Sequence, residues 1–437
     1  MYNVIYLNTH DLGRMIEPYG YPVPTPNLVR LARQGTLLRK AFCAAPTCSP
    51  SRAALLTGMA AHSCGMTGLV HRGFSLTEEG KYAHLARFLR DKGYETVLAG
   101  IQHEIARGRE AEIGYQKVLQ AAPGADRDLG TAHSAAEYIR ASKEKPFFLA
   151  VGLFNTHREF PPLDGSINPD YLMPLFPMYD SPAAREDMAR FILSARIVDQ
   201  CVGIILDALS AAGLDDKTIV LFTTDHGVAF PHCKCTLYDT GIGVATILRY
   251  PGNPMAGRAT DALVSQLDLY PTFCDLLGFE KPQWLQGVSL APLLEGKVDQ
   301  VRSEIFAEVS YHAAYQPLRC IRTERYKLIR AYDNGHDGPV PANIDDSPSK
   351  TFLIEAGLLE EKPAREMLFD LYLDPVERVN RVGDERYRGV YDELSARLDA
   401  WMEATNDPLR AGSVVPKPDG AVVNAVTALS PKERPTA

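Results

Sequence analysis

Long apolar runs are absent from this sequence of 437 residues. No stretch reaches the roughly 18 apolar residues that a membrane-spanning helix requires, so we expect no membrane segment. Basic runs are absent as well, and the formal net charge of -8 argues against a nucleic-acid partner. The first residues, Met1–Tyr6, lack the basic region and cleavage site of a secretory signal, which predicts a cytoplasmic protein.

Cysteines are few, with eight scattered along the chain. This density is too low for a disulfide framework in a chain of this length. Cys233 and Cys235 form a C-x-C pair, but no second pair completes a zinc-binding set. We therefore expect most of the cysteines to be buried free thiols.

What the sequence does contain is the alternating pattern of an α/β protein, with 46% hydrophobic residues for a large core. Helices are predicted from Thr25-Pro26 to Gly35, near Tyr82–Lys92 and over Ala183–Ala212. Buried strands are predicted at Val4–Asn8, Thr96–Ile101, Phe147–Leu153, Thr218–Thr224 and Val244–Tyr250. This alternation predicts a large, mostly parallel mixed sheet between helices.

The pattern changes after about residue 300. Short strand-like runs follow one another without intervening helices, at Glu304–Val309, Leu318–Arg322, Tyr326–Arg330 and Leu368–Leu371. An amphipathic helix is predicted over Tyr387–Thr405, and the tail beyond Asp407 is expected to wrap the surface. We therefore predict a catalytic domain over residues 1–298. Residues 299–437 are predicted to form a small C-terminal subdomain with an antiparallel sheet.

Cys48 lies beside a predicted helix. Ser49 is a suitable N-cap, Pro50 suits the first helical position, and Gly58 follows the last turn. This places Cys48 immediately before a helix N-terminus, where exposed N–H groups favour anions. Arg52 falls one turn into the helix, within reach of the same point.

Two pairs of adjacent residues, each a histidine and an aspartate, follow predicted strands. His10-Asp11 comes after the first strand, and Asp225-His226 comes after the strand at Thr218–Thr224. Because ligand sites form beyond the carboxyl ends of parallel strands, these side chains are predicted to lie at a ligand site. As metal ligands, their carboxylate oxygens would suit calcium or magnesium, whereas two imidazoles would shift the preference towards manganese or zinc.

These motifs resemble those of the sulfatase family. Cys48-Ser49-Pro50-Ser51-Arg52, with Thr57-Gly58 downstream, resembles the family signature C-x-P-x-R, and Asp225-His226-Gly227 resembles its strand-end D-H-G. The resemblance implies oxidation of Cys48 to formylglycine, whose hydrate supplies one hydroxyl as nucleophile and a second to expel sulfate. It also implies a divalent metal ion, calcium by family, and the fold shared with alkaline phosphatases.

The resemblance extends to supporting residues, and it implies their roles. His103 and Lys234 are expected to stabilise the sulfate oxygens or the hydrate, and His157 is expected to protonate the leaving group. The sequence departs from the family at Ile101, where a sulfate-binding lysine is usual, and at His10, where an aspartate is usual. Candidate substrate contacts are His71, Arg72 and Arg158.

Three further segments resemble the heparan N-sulfatase, or sulfamidase, branch: His62–Leu69, His71–Phe74 and Gln316–Thr323. The resemblance implies a small sulfated or N-sulfated sugar as substrate, and a formylglycine-generating or anaerobic sulfatase-maturing enzyme as partner. A homo-oligomer is left open.

Two other functions remain open at this point. One is hydrolysis of a phosphonate monoester or phosphodiester by a member of the same superfamily, which His10 and the missing lysine would suit. The other is a catalytically silent glycan-binding homologue, although the retained Cys48 and Asp225 argue against it.

Overall fold

The protein contains two β-sheets, seen in a computed structural model that describes residues 1–124, 126–141, 144–176, 178–412 and 414–433. The strands are β1 (Asn3–Thr9), β2 (Thr36–Phe42), β3 (Glu95–Gly100), β4 (Lys117–Leu119), β5 (Phe147–Leu153), β6 (Thr218–Thr224), β7 (Thr246–Arg249), β8 (Arg258–Ser265), β9 (Glu304–Tyr311), β10 (Tyr315–Thr323), β11 (Tyr326–Ala331) and β12 (Glu366–Asp370).

The larger sheet has eight strands in the order β4-β3-β5-β1-β6-β7-β2-β8. β1 lies near its centre and pairs in parallel with both β5 and β6. Only β7 runs against its neighbours, β6 and β2. The predicted fold class is confirmed: a mostly parallel mixed sheet among helices, accompanied by a separate antiparallel sheet.

Helices cover both faces of the large sheet. The α-helices of the described residues, including those that pack on the smaller sheet, are α1 (Pro26–Gln34), α2 (Cys48–Thr57), α3 (Ala61–Cys64), α4 (Glu78–Ala83), α5 (Leu85–Asp91), α6 (Arg127–Arg140), α7 (Pro182–Ala211), α8 (Asp239–Ile242), α9 (Leu269–Leu277), α10 (Ala291–Leu294), α11 (Pro348–Glu355), α12 (Arg388–Ala404) and α13 (Pro408–Gly412). Alternate residues of β1 enter two different cores: Val4 and Tyr6 join one, whereas Ile5 and Leu7 join the other. This two-sided burial explains why the strand is apolar throughout. Within the described residues, no helix is long and apolar enough to span a bilayer.

The smaller sheet is antiparallel, with the order β12-β11-β10-β9, and α12 contacts β10 and β11. It corresponds to the short strands and final helix predicted after residue 300. The two sheets lie on opposite sides of the predicted boundary between residues 298 and 299, although the boundary itself stays a prediction. The tail contacts the rest of the protein, since Val415, Ala421 and Asn424 are buried.

Several elements differ from the sequence prediction. β2 and β8 were not predicted, because Arg39 and Lys40 interrupt the apolar run in β2 and the first half of β8 is polar and partly exposed. The single helix predicted near Tyr82–Lys92 is two helices, α4 and α5. They meet at His84, whose Nδ1 accepts a hydrogen bond from the backbone N–H of Ala86 at 3.2 Å.

A buried charge cluster connects the two parts of the chain. His62 on α3 lies 2.9 Å from Glu308 on β9. Arg319 on β10 contacts Glu308 at 3.4 Å and Asp407 at 2.5 Å. Burial alone would raise the pKa of Glu308, but His62 and Arg319 outweigh it and lower that pKa to about 2. The cluster therefore links the residues that follow α2 to the smaller sheet.

We expect Glu308→Gln to destabilise the protein at neutral pH by roughly 3 kcal/mol, the linkage energy of lowering a pKa from 4.5 to about 2. A carboxylate whose folded pKa is depressed stabilises the fold above its unfolded pKa, and this contribution is lost as the pH falls through the folded pKa. The difference in unfolding free energy between wild type and Glu308→Gln should therefore shrink as the pH falls below about 4.5.

The measurement is urea unfolding of both proteins at a series of pH values. The matched control is Glu304→Gln on the same strand, because Glu304 makes a partly exposed ion pair with Arg397. That pair should contribute less than about 1 kcal/mol. A wild-type-to-Glu308→Gln difference that stays constant with pH would contradict the assignment.

Candidate active site

The candidate site lies where β1 and β6 end. His10 and Asp11 follow β1, and Asp225 and His226 follow β6, so the parallel pairing of the two strands brings all four to one edge of the sheet. All four side chains are buried. The backbone N–H of Asp11 donates to Asp225 Oδ1 at 2.9 Å, and this bond joins the two strand ends directly.

Ligand atoms converge here as they would around a cation. Single atoms of His10, Asp11, Cys48 and Asp225 all lie within 4.8 Å of one another. His10 Nδ1 approaches Asp225 Oδ2 to 2.9 Å, yet among the described residues neither nitrogen of His10 has a hydrogen-bond partner with suitable geometry. Asp11 Oδ1 is also buried without a partner. Buried polar atoms normally have partners, so these orphaned atoms fit a metal-binding set.

His226 adds a further ligand atom. Its Nδ1 lies 3.0 Å from the carbonyl oxygen of Gly227, and this contact places the ring proton on Nδ1 in the neutral form. Nε2 then carries a lone pair, 3.3 Å from Asp11 Oδ1 and 3.4 Å from Cys48 Sγ. The predicted metal ligands are therefore brought together.

Cys48 occupies the first residue of α2, with Thr47 as N-cap. This corrects the prediction that Ser49 caps the helix and Pro50 begins it. The hydroxyl of Ser49 instead accepts a hydrogen bond from the backbone N–H of Val70 at 3.1 Å. Gly58 ends the helix in the left-handed conformation, as its position predicted. Burial raises the pKa of the Cys48 thiol. The unmodified side chain therefore stays protonated and is a weak nucleophile.

Arg52 lies one turn along α2 and is buried. Its Nε is 3.4 Å from Asp225 Oδ2. Burial would raise the pKa of Asp225, but His226, His10 and Arg52 together hold it well below the ordinary value. The buried Arg52 therefore offsets the negative charge of Asp225.

The predicted supporting residues surround this group. Lys234 Nζ donates to Asp11 Oδ2 at 2.9 Å. The His103 ring lies 4.7 Å from the His10 ring, centroid to centroid, and the His157 ring lies 5.5 Å from it. Burial and the nearby Arg52 lower the pKa of His103 to about 3, which leaves a neutral imidazole at ordinary pH.

The loop after β5 holds His157 in place. Asp128 on α6 accepts hydrogen bonds from the backbone N–H groups of Phe154 and Asn155, at 3.0 and 2.7 Å. The hydroxyl of Ser194 on α7 donates to the Asn155 side chain at 2.6 Å. His157 Nδ1 lies 2.6 Å from the carbonyl oxygen of Arg158, and its Nε2 lies 4.0 Å from Asp11 Oδ2. The Nε2 atom is therefore the one that faces the site.

The three predicted substrate contacts have different environments. Arg158 donates to both carboxylate oxygens of Asp187, at 2.8 and 2.7 Å, and to the carbonyl of Ala229 at 2.8 Å. The rings of Phe160 and Phe230 lie 4.5 and 4.8 Å from its guanidinium carbon. The Arg158 guanidinium is therefore held by structural contacts, and its contact with substrate stays a prediction.

Arg72 also makes structural contacts, and its contact with substrate stays a prediction. Its guanidinium donates to Asn424 Oδ1 at 2.7 Å and to the carbonyl of Pro431 at 2.8 Å, so it fastens the C-terminal tail. His71 differs, because it is exposed. Burial of its inner side lowers its pKa, and repulsion from Arg72, His157 and Lys234 lowers it further. His71 is thus placed at the mouth of the site, and its contact with substrate stays a prediction.

Two residues of the site were not predicted. Asp345 accepts a hydrogen bond from Lys234 Nζ at 3.0 Å. His312, which is buried, interacts electrostatically with Lys234, Asp345 and His226. Both come from the region of the smaller sheet, far along the chain from the strand ends. No local pattern marked them, since neither follows a strand of the large sheet or belongs to a recognised motif.

Comparisons with known proteins agree with this geometry. The family model described as "Sulfatase" matches residues 2–279, and the model described as "N-sulphoglucosamine sulphohydrolase, C-terminal" matches residues 227–340. The first covers more than half of the chain and includes all the predicted site residues.

Individual relatives extend the match over most of the chain. The human N-sulphoglucosamine sulphohydrolase is 28% identical, with 94% of this chain and 90% of that protein covered. An ulvan-active sulfatase of Formosa agariphila is 26% identical, with 93% and 75% covered. A solved sulfatase in complex with its substrate D-glucosamine-2-N,6-O-disulfate is 19% identical, covers 93% of this chain and 98% of its own, and has a TM-score of 0.70. The last of these similarities supports the fold.

Proposed function

Because the chain belongs to the sulfatase family, and is therefore a hydrolase of sulfate esters or sulfamates, we propose that its substrate is a small sulfated or N-sulfated sugar. The carrying observation is the convergence of Cys48, Asp11, Asp225 and His226 at one buried point. The human relative is an N-sulphoglucosamine sulphohydrolase, and the substrate in the solved structure is D-glucosamine-2-N,6-O-disulfate, so an N-sulfated glucosamine is common to both.

We propose that His10, Asp11, Asp225 and His226 bind one divalent metal ion. Two carboxylates and two neutral imidazoles offer a mixed set of oxygen and nitrogen donors, which calcium, magnesium, manganese or zinc would accept to different degrees. When bound, the ion would neutralise a sulfuryl oxygen and lower the pKa of the attacking hydroxyl. The buried Nε2 of His10 and Oδ1 of Asp11, which have no hydrogen-bond partner among the described residues, support this assignment.

We propose formylglycine at position 48. The hydrated aldehyde would supply two hydroxyls on one carbon, the first for attack and the second for release of sulfate. The buried Cys48 thiol has a raised pKa and lacks a second hydroxyl, so it would serve poorly in either step. The start of α2 adds backbone N–H groups, which favour negative charge at this point.

The remaining side chains take roles that follow from their positions. Lys234 and the neutral His103 would donate hydrogen bonds to the sulfate oxygens, and Lys234 would offset their charge. When doubly protonated, His157 would hold a proton on Nε2, the nitrogen that faces the site, and transfer it to the leaving oxygen or nitrogen. In the net reaction, water is consumed, the bond from sulfur to the leaving atom breaks, and an alcohol or amine and sulfate are released.

The experiment combines mass spectrometry with turnover. Protein made with a formylglycine-generating or anaerobic sulfatase-maturing enzyme should show a loss of about 18 Da in the peptide that carries Cys48, the exchange of thiol for aldehyde. The same preparation should then release sulfate from glucosamine N-sulfate or an aryl sulfate after metal is added. Modified protein that cleaves an aryl phosphonate ester faster than either sulfate would favour the phosphonate monoester or phosphodiester reaction. An unmodified thiol in active protein would overturn the formylglycine assignment.

A further inference from the structure

We propose that Asp345, supported by His312, recognises a hydroxyl group on the sugar ring beside the sulfated position, so that the C-terminal part of the chain selects the sugar. This inference rests on the proposed function and deepens it, because it concerns the leaving group of the same reaction. Neither residue belongs to the motifs from which the site was predicted.

The position of Asp345 carries the argument. Lys234 Nζ bridges two carboxylates, with Asp11 Oδ2 at 2.9 Å and Asp345 Oδ2 at 3.0 Å. Asp345 therefore lies one side chain away from a candidate metal ligand. The Asp11 side chain is fully buried, whereas that of Asp345 is 15% exposed. Asp345 thus lies towards the open side of the site, where the part of a substrate beyond its sulfate group would extend.

The segment that carries Asp345 is held firmly. Lys350 on α11 donates to the carbonyl of Ile344 at 2.8 Å and to Asp346 Oδ1 at 2.9 Å. Asn343 Oδ1 accepts a hydrogen bond from the backbone N–H of Ala314 at 2.8 Å. Contacts on both sides fix the backbone at Asp345. A rigid acceptor of this kind can discriminate between substrates, because it does not shift to follow a displaced partner.

His312 supplies a second polar group at the same place. It follows β9, its side chain is buried, and among the described residues its Nδ1 has no hydrogen-bond partner. It interacts electrostatically with both Lys234 and Asp345. A buried polar atom without a partner is uncommon in a folded protein. The unpartnered nitrogen of His312 would therefore suit a hydrogen bond with the substrate.

The chemistry of the pair favours a hydroxyl over an anion. Asp345 is a carboxylate, held ionised by Lys234 and His312 against the effect of burial, which by itself would raise its pKa. A carboxylate accepts hydrogen bonds and repels other anions at short range. It would therefore bind a sugar hydroxyl and disfavour a second sulfate group at the same position. A sulfated aryl ring has no hydroxyl to offer, so Asp345 should contribute little to its cleavage.

The test compares two substrates on the metal-loaded, matured enzyme: glucosamine N-sulfate and 4-nitrophenyl sulfate. Asp345→Asn should lower kcat/KM for the sugar by about 10- to 100-fold, the range expected for one lost hydrogen bond to a charged group. The same variant should change kcat/KM for the aryl sulfate by less than about 3-fold. A 3-O- or 6-O-sulfate added to the sugar should lower kcat/KM less for Asp345→Asn than for wild type.

Asp337→Asn is the matched control. Asp337 lies in the same connection between β11 and α11, but its carboxylate is exposed and pairs with Arg365. The ratio of sugar to aryl activity should be unchanged in this variant. His312→Asn provides a second variant if Asp345→Asn fails to fold, and it should shift the ratio in the same direction.

Equal losses on both substrates would overturn the inference, because they would show that Asp345 acts only by positioning Lys234. A different result belongs to the proposed function: matured wild-type enzyme that cleaves neither sulfate would refute that function before any variant is made. The two failures are therefore distinguishable.

Discussion

Cys48→Ala is expected to lower kcat by about 10⁴- to 10⁶-fold, the effect of removing a nucleophile from a preorganised site. The substitution removes the atom from which formylglycine would form, so neither attack nor release of sulfate could proceed at position 48. The fold should survive, because alanine is a good helix former and Cys48 is the first residue of α2. The measurement is sulfate release from an aryl sulfate, with unfolding curves to confirm stability.

The matched control is Cys274→Ala. Cys274 lies on α9, is as buried as Cys48 and is not among the residues that contact the candidate site. The control should keep wild-type activity and lose some stability to the cavity. Cys48→Ser sharpens the test, because one hydroxyl can attack once but has no second hydroxyl to release the sulfate. In protein whose serine stays unmodified, turnover should stop near one sulfate per enzyme. Multiple turnovers by Cys48→Ala would rule out a nucleophile at this position.

The sequence predicted the parts of the fold that local apolar patterns determine. β5 and β6 were predicted with their observed bounds, because each is an uninterrupted apolar run buried on both faces. β2 was missed, since Arg39 and Lys40 interrupt its pattern while its other residues are buried. Pairing with β8 and β7 maintains this strand, and such long-range pairing leaves no local signal in the sequence.

The candidate site also has features that the sequence predicted and features that it did not. His10 and Asp225 were found because each directly follows a strand, and the topology of a parallel sheet brings strand ends together. Arg158 was predicted to contact substrate, but its place in the sequence beside His157 does not determine where its long side chain points. Its partner Asp187 lies on α7, and no pattern in the sequence predicts this contact.

Asp345 and His312 show a larger limit of predicting site residues from the sequence. Both reach the site because the part of the chain that carries the smaller sheet packs against the large-sheet part, where β9 contacts β8 and His62 pairs with the buried Glu308. Residues brought in by packing between two sheets carry no spacing rule in the sequence. Motifs in the sequence therefore predicted the candidate site residues of the large-sheet part, and the structure was needed to find Asp345 and His312 beside them.

Asp225→Asn should weaken metal-dependent stabilisation and lower activity by about 10³-fold or more. Asp225 is central to the candidate metal set, since it contacts His10 at 2.9 Å, lies 3.6 Å from His226 and accepts the backbone N–H of Asp11. An amide offers one weaker oxygen ligand in place of a charged carboxylate, so divalent ions should bind at least 10- to 100-fold more weakly, by analogy with substitutions next to metal ligands.

The readout that does not depend on turnover is the metal-induced change in thermal stability. For wild type, calcium, magnesium, manganese and zinc are titrated separately, and the ion that binds should stabilise the fold by about 2.7 kcal/mol at a hundred times its Kd. At the same ion concentration, a Kd at least 10-fold higher should limit the rise in Asp225→Asn to about 1.4 kcal/mol or less. Its metal-free form should also be less stable than metal-free wild type, because buried Arg52 loses a charged partner. The control is Asp216→Asn, whose side chain is exposed at the surface before β6. An equal metal-induced rise in Asp225→Asn and wild type would show that Asp225 is not a ligand, and the metal would then have to be sought among other groups.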